Sequence, residues 1–188
     1  MDLQTKSLKT AEPKTKDVAT IYKVNGKDVS ILAIPKNCSS SIITGLKSSQ
    51  PGLANTVICI LRDPFDRWRS GTIQYFTHEF SLQAHTLDFW LKTGMYFDEH
   101  TMPQTHFIEG NNIVYYYYKP NVLESIQADW DIFDSIPHLQ KTEQPEKQKV
   151  KRKVDKWISK NREQLKDKID NIYKDDYKQI EKAKFKNE

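Results

Sequence analysis

Two continuous apolar runs constrain the fold of this chain more than anything else in it. They are Val29 to Ile34 ("VSILAI") and Thr56 to Leu61 ("TVICIL"). Each is the length of a strand. Each lacks the apolar–polar alternation of a half-exposed strand, so it reads as a strand buried on both faces. Each is followed by a short charged or polar loop and then by apolar residues at helical spacing. Strand, loop, helix, strand, loop, helix is α/β order and predicts a central parallel sheet flanked by helices. Ligands in such sheets bind outside the carboxyl ends of the strands, where both special loops lie.

The remaining elements follow from local signals. Asn25-Gly26 separates "TIYKV" from the first buried run and marks a hairpin. Ser39 to Leu46 is read as a helix with serine available as N-cap. A second helix is expected from Phe65 to about Phe76. Asp63 caps it, Pro64 stands in its first turn, and Phe65, Trp68 and Ile73 form its apolar stripe. Thr86 to Thr93 and Asn121 to Asp129 read as helices. "HFIEGNNIVYYYY" reads as two short extended runs around Gly110-Asn111-Asn112. From Lys147 onward, Val154, Trp157, Ile158, Leu165, Ile169, Ile172, Tyr173, Tyr177 and Ile180 recur mostly at threes and fours. That pattern predicts one long helix or two, with a break near Lys160-Asn161. The division is a polar arm over residues 1–17 and one domain over 18–188, with C-terminal helices at about 147–185.

Composition excludes several classes. With 188 residues the chain can bury a sizeable core. Its two cysteines, Cys38 and Cys59, form no disulfide framework. No apolar run reaches the length of a membrane span, and the N-terminus shows no signal peptide, so a cytoplasmic protein is expected. The net charge of +4 is uneven. Residues 145–188 hold fifteen Lys/Arg and nine Asp/Glu, a net of +6, which leaves −2 for the rest. The basic tail is a candidate nucleic-acid surface. Its acids are interleaved, however, and a solvated amphipathic helix with no nucleic-acid partner is the favoured reading.

The two loops carry the chemistry. "IPKNCSSSI" leaves the first strand through Lys36 and reaches Ser39, Ser40 and Ser41 at a helix start. Hydroxyls, unpaired amides and a mobile cation together make a phosphate cradle. It is no Walker A loop, because G-x-x-x-x-G-K-[ST] is absent. A capped helix with a solvated lysine explains the same residues without a ligand. The second loop, "LRDPF", puts Arg62 at the end of a buried strand, where an unpaired charge is expensive. Asp63 could neutralise it internally. Alternatively, Ser70, two helical turns on, could join Arg62 in gripping a second phosphate.

"IPKNCSSSI" followed by "LRDPFDRWRSG" resembles the sulfotransferases that use PAPS (3′-phosphoadenosine 5′-phosphosulfate). Lys36, Ser39, Ser40 and Ser41 match their 5′-phosphosulfate loop. Arg62, Asp63, Pro64, Arg67 and Ser70 match their Arg-Asp-Pro-x-x-Arg-x-x-Ser segment for the 3′-phosphate. The two loops are only 26 residues apart (62 − 36), which resembles the carbohydrate branch of chondroitin and HNK type. "DEHTMPQTHFI", "YYYYKPNVLESI", "IPHLQKTE" (with Gln140 where Asn is usual) and "IYKDDYKQI" are similar to that branch's later segments, in its order. The resemblance spans about Ile31 to Ile180. It implies a single-domain P-loop-like fold and an enzyme transferring a sulfuryl group to a hydroxyl acceptor, a carbohydrate. An anchor-free chain suits a bacterial or viral enzyme of this kind.

By that resemblance Lys36, Asn37, Cys38, Ser39, Ser40, Ser41, Arg62 and Ser70 hold PAPS. Lys36 also acts on the leaving group. His100 is the candidate general base, because no Asp, Glu or His lies between Lys36 and Arg62; a structural hydrogen bond is its alternative role. His78, His85, His106 and His138 lack zinc-site spacing with the cysteines, and no metal is expected; His138 is a candidate for the cofactor loop. Cys38 reads as a small residue in a tight loop. Trp68, Trp90, Trp130 and Trp157 read as core, and Tyr115–Tyr118 as alternating strand faces. Acceptor specificity is assigned to Thr77–Met102. A magnesium-dependent nucleotide kinase or phosphate-binding protein is the second reading, and a nucleic-acid module built on the C-terminal helices the third.

Overall fold

The structure, a computed structural model, describes residues 20–78, 84–94, 97–108, 112–136 and 145–184. The first hairpin pairs β1 (Ile21–Val24) with β2 (Val29–Leu32) antiparallel, with Tyr22 opposite Ile31. Gly26 takes φ 77° in the connecting turn, a conformation that favours glycine. β2 leads through α1 (Ser39–Gly45) and the short β3 (Ser49–Pro51) to β4 (Thr56–Leu61). β4 then leads through α2 (Pro64–His78) and α3 (Ala84–Thr93) to β5 (Asn112–Tyr117).

The five strands lie in the order β3-β1-β2-β4-β5. β2, β4 and β5 run parallel, while β1 and β3 are antiparallel. The sheet is therefore mixed. The Asn25-Gly26 hairpin turns β1 back on β2, and β3 pairs onto it as a short edge containing Pro51. Only the three strands behind the candidate site keep the expected parallel order.

Both buried runs do what their composition requires. Val29, Ile31, Ala33, Ile58 and Ile60 face one layer, against Ile42 of α1 and Val122, Leu123 and Ile126 of α4 (Val122–Trp130). Leu32, Ile34, Val57, Cys59 and Leu61 face the other, against Met102, Phe107, Ile180 and Ala183. Tyr116 packs with the first layer, Tyr115 and Tyr117 with the second, as alternation demands. His106, Phe107 and Ile108 of the expected run before Gly110 form no strand, Gln104–His106 making a 3-10 turn, and Glu109 lies outside the described residues.

The C-terminal pattern folds as three helices, α5 (Pro145–Lys160), α6 (Arg162–Ile172) and α7 (Lys174–Lys184). The expected break falls at Asn161, and a second occurs at Tyr173. Helices α2, α3, α5 and α6 share a third cluster built on Trp68, Phe76, Leu87, Trp90, Trp157, Leu165 and Ile169. Three of the four tryptophans are core, and Trp130 is half-buried, donating Nε1–H to the Tyr116 hydroxyl at 2.9 Å. Among the described residues, no helix is long and apolar enough to cross a membrane.

Candidate functional site

The carboxyl ends of β2, β4 and β5 open onto one cavity of about 620 Å³. Lys36, Cys38 and Ser39–Ser41 line it from the loop after β2. Arg62 and Ser70 line it from β4 and α2, and His100 from a separate segment. These groups come from three stretches of sequence, and the fold gathers them.

The first loop is shaped by its backbone. Lys36 and Cys38 both take left-handed conformations, φ 67° and 64°. Such residues cost about 1–3 kcal/mol each when they are not glycine, and surrounding structure must hold them. Asn37, between them, supplies the hold. Its side chain is fully buried, and its Nδ2 donates to Ile60 O at 2.8 Å and Gln104 Oε1 at 2.6 Å. Asn37 thus pins the loop to β4 from behind. Alone among the eight residues assigned to PAPS, it points into the core instead of lining the cavity. Cys38, not a serine, occupies the N-cap position, with no side-chain cap bond, so Ser39 is the first helical residue. The first helical bond runs from Ile42 N to Cys38 O, 2.9 Å. The amides of Ser39, Ser40 and Ser41 therefore precede the hydrogen-bond ladder.

Arg62 stands at the end of β4, half-buried. Its Nη1 donates to Lys36 O at 3.1 Å, and its guanidinium lies 4.8 Å from the Tyr118 ring centroid. Its Nε is buried without a hydrogen-bond partner. Asp63 does not neutralise it; Asp63 Oδ1 caps α2 by accepting from Asp66 N at 2.9 Å. Gln104 clamps the same strand end, accepting from Arg62 N and donating to Arg62 O, both at 2.7 Å. Gln104 N and Thr105 N are in turn held by buried Asp176 of α7, at 2.8 and 2.9 Å.

Arg67 matches the arginine of the Arg-Asp-Pro-x-x-Arg segment, but it lies beneath the cavity. It is 1% exposed. Its guanidinium donates to three carbonyls: Pro35 O at 3.1 Å, Glu99 O at 3.1 Å, and Met102 O. One side chain ties the first loop to the His100 segment. Burial pushes its pKa down to about 10, with the nearby Asp176 carboxylate opposing the fall. It therefore stays charged at neutral pH.

His100 is half-buried. Its Nδ1 lies 2.9 Å from Asp98 Oδ2, and its backbone N–H donates to Asp98 Oδ1 at 3.0 Å. A carboxylate on Nδ1 favours the tautomer with its proton there, leaving the Nε2 lone pair to accept one. Asp98, Glu99 and His100 each bring one ligand atom within 4.8 Å of the others. His100 Nδ1 also lies 3.6 Å from Glu99 Oε1, so the imidazole stands against both carboxylates.

Gly71 sets the position of this segment. A Cβ there would meet His100 O at 2.3 Å and His100 C at 2.7 Å. Only a residue without a side chain lets α2 approach so closely. Gly71→Ala is expected to cost about 1–3 kcal/mol by overpacking. The His100 backbone should shift with it. Urea unfolding and a change in the His100 ring resonances would show both effects; an unchanged midpoint would contradict the contact.

Sequence reasoning missed the outer wall. Arg69, Lys119, Lys147 and Lys151 also line the cavity. The basic tail, read as a solvated face with little bearing on the site, sends two lysines of α5 into it. The signal was the spacing of Lys147 and Lys151, four residues apart and so on one helix face. His138 and Gln140 lie outside the described residues, as do parts of the Thr77–Met102 specificity segment. Comparison of the chain with protein-family models, curated proteins and solved structures finds no match.

Proposed function

We propose that this protein is a PAPS-dependent sulfotransferase of P-loop-like fold, acting on a hydroxyl group of a carbohydrate acceptor. The carrying observation is that the serine loop, Arg62 with Ser70, and His100 all line one cavity. That volume lies within the usual range of small-molecule sites. The buried, unpartnered Nε of Arg62 is a donor that a phosphate oxygen would satisfy.

In this reading Lys36, Cys38 and Ser39–Ser41 surround the 5′-phosphosulfate, and Arg62 with Ser70 hold the 3′-phosphate. Asn37 acts from behind by fixing the loop. The acceptor oxygen attacks sulfur in line with the bond to the 5′-phosphate. As the new S–O bond forms, the acceptor proton passes to His100 Nε2. The S–O bond to the 5′-phosphate breaks, and its electron pair leaves on the phosphate oxygen, which Lys36 neutralises.

Calorimetric titration with the desulfated product PAP tests the reading. Wild type is expected to bind PAP. Arg62→Ala should weaken binding roughly 10–100-fold, as loss of charge-assisted hydrogen bonds requires. ATP, lacking a 3′-phosphate, should bind no better than the variant binds PAP. Failure of folded wild type to bind PAP would overturn the proposal. ATP binding equal to that of PAP would favour the nucleotide-kinase reading.

A further inference from the structure

In the sulfotransferase reading, on which this inference rests, the two phosphate grips sit on different segments. A ligand with two phosphates requires them at one fixed spacing. The β2–β4 pairing ends short of the site, where Leu32 stands opposite Cys59, whereas β4 and β5 stay paired as far as Leu61 and Tyr117. Beyond Cys59, side-chain amides take over from β2. Asn37 Nδ2 donates to Ile60 O at 2.8 Å. The Gln104 carboxamide pairs with both Arg62 N and Arg62 O at 2.7 Å, as the backbone of a neighbouring strand would.

Gln104 belongs to neither loop. It lies in the 3-10 turn after the His100 segment, is fully buried and does not line the cavity. Its Oε1 accepts from Asn37 Nδ2 at 2.6 Å and from Arg62 N at 2.7 Å. Its Nε2 donates to Arg62 O at 2.7 Å and reaches Asp176 Oδ2 at 3.4 Å. These contacts use both acceptor sites and both donors of a carboxamide. Turning the amide over would set N–H groups against Asn37 Nδ2 and Arg62 N, so one orientation is held. The turn that carries Gln104 is fixed from its far side by Asp176, in the first turn of α7. Asp176 accepts from Gln104 N at 2.8 Å and from Thr105 N and Oγ1, both at 2.9 Å. Arg62 Nη1 also reaches Lys36 O at 3.1 Å, but that guanidinium is the group a phosphate takes. Gln104 joins the two loops without occupying any group that a phosphate needs.

We infer that Gln104, backed by Asp176, is a positioning residue that fixes the spacing between the 5′- and 3′-phosphate grips. It thereby carries the preference of the site for a ligand with both phosphates over a ligand with one. Each grip keeps its own donors without Gln104. With the two grips in register, the second phosphate binds as an intramolecular event at high effective concentration. With the joint loosened, that gain is lost in ordering the loops.

Calorimetry with PAP and NMR titration with adenosine 5′-phosphate and adenosine 3′-phosphate test the inference on wild type and on Gln104→Met. Methionine keeps the length of the side chain and removes its amide. The affinity of Gln104→Met for PAP is expected to fall about tenfold or more. Its affinity for each single-phosphate ligand should change by less than about threefold. A residue that only stabilised the fold would weaken all three ligands in proportion, or none. In wild type, each single-phosphate ligand, compared with adenosine, should shift the Gln104 side-chain amide resonances, although Gln104 does not line the cavity. Those resonances decide the matter alone if Gln104→Met does not fold. Proportional losses for all three ligands, an unchanged PAP affinity, or a Gln104 amide that responds to one phosphate or to neither would overturn the inference. Absence of PAP binding by folded wild type is a separate failure, that of the sulfotransferase reading itself.

Discussion

Replacing Arg67 by methionine is expected to destabilise the protein by about 3–5 kcal/mol, the usual consequence of removing one member of a buried charged network. The total stability of a domain is only about 5–15 kcal/mol. Three backbone carbonyls, at Pro35, Glu99 and Met102, would lose their donor together. Buried Asp176 would lose the cation whose charge it balances. Methionine fills similar volume, so the loss reports hydrogen bonds and charge more than a cavity. Arg67→Lys is expected to recover only part of it. A single ammonium cannot reproduce a planar fork that reaches carbonyls on two separate segments. Urea unfolding measures both variants. A loss below about 1 kcal/mol for Arg67→Met would show that the loops are held by other means, and Asn37 and Gln104 would then carry that role. Because Arg67 joins the first loop to the His100 segment, PAP affinity in the folded fraction of Arg67→Lys should fall as well, although Arg67 does not line the cavity.

His100→Ala is expected to lower kcat with PAPS by about 10²–10⁴-fold, the range of general-base catalysis. PAP affinity should stay within a few-fold of wild type, since the phosphates are gripped by other residues. That split between chemistry and binding distinguishes a base from a structural histidine. A structural role predicts loss of stability and of PAP binding together, through the Asp98 contacts that shape the segment. Asp98→Asn removes the carboxylate on Nδ1 while keeping the size of the side chain. It should therefore lower kcat in the same direction and by less. Unchanged kcat in His100→Ala would remove His100 from the reaction.

Much of the fold was legible because burial writes itself into composition. β2 and β4 are covered on both faces, so nearly every residue in them is apolar. The Asn25-Gly26 turn, the Asp63 cap and the break at Asn161 were equally local, each depending on residues within one turn. The same locality explains the misses. A break at Tyr173 leaves no glycine or proline, because it is imposed where α7 must turn so that Asp176 meets Gln104 and Thr105. The run before Gly110 has strand composition, yet Phe107 is buried under α7 rather than in the sheet.

The available chemistry was legible in short stretches: a lysine and three serines after one buried strand, an arginine after the next, and a histidine two residues from an aspartate. Tertiary structure decided which of those groups share a cavity and which serve beneath it. Arg62 and Arg67 belong to one short segment, but the turn of α2 leaves Arg62 at the cavity and takes Arg67 into the core. Asn37 sits among cavity residues in sequence and faces away from them in space. Lys147 and Lys151, a hundred residues distant from the serine loop, complete the wall because Trp157 and the Arg69–Asp155 pair fix the rotation of α5. Side-chain direction depends on packing between distant elements, and that packing is a property of the whole chain, not of any short stretch of it.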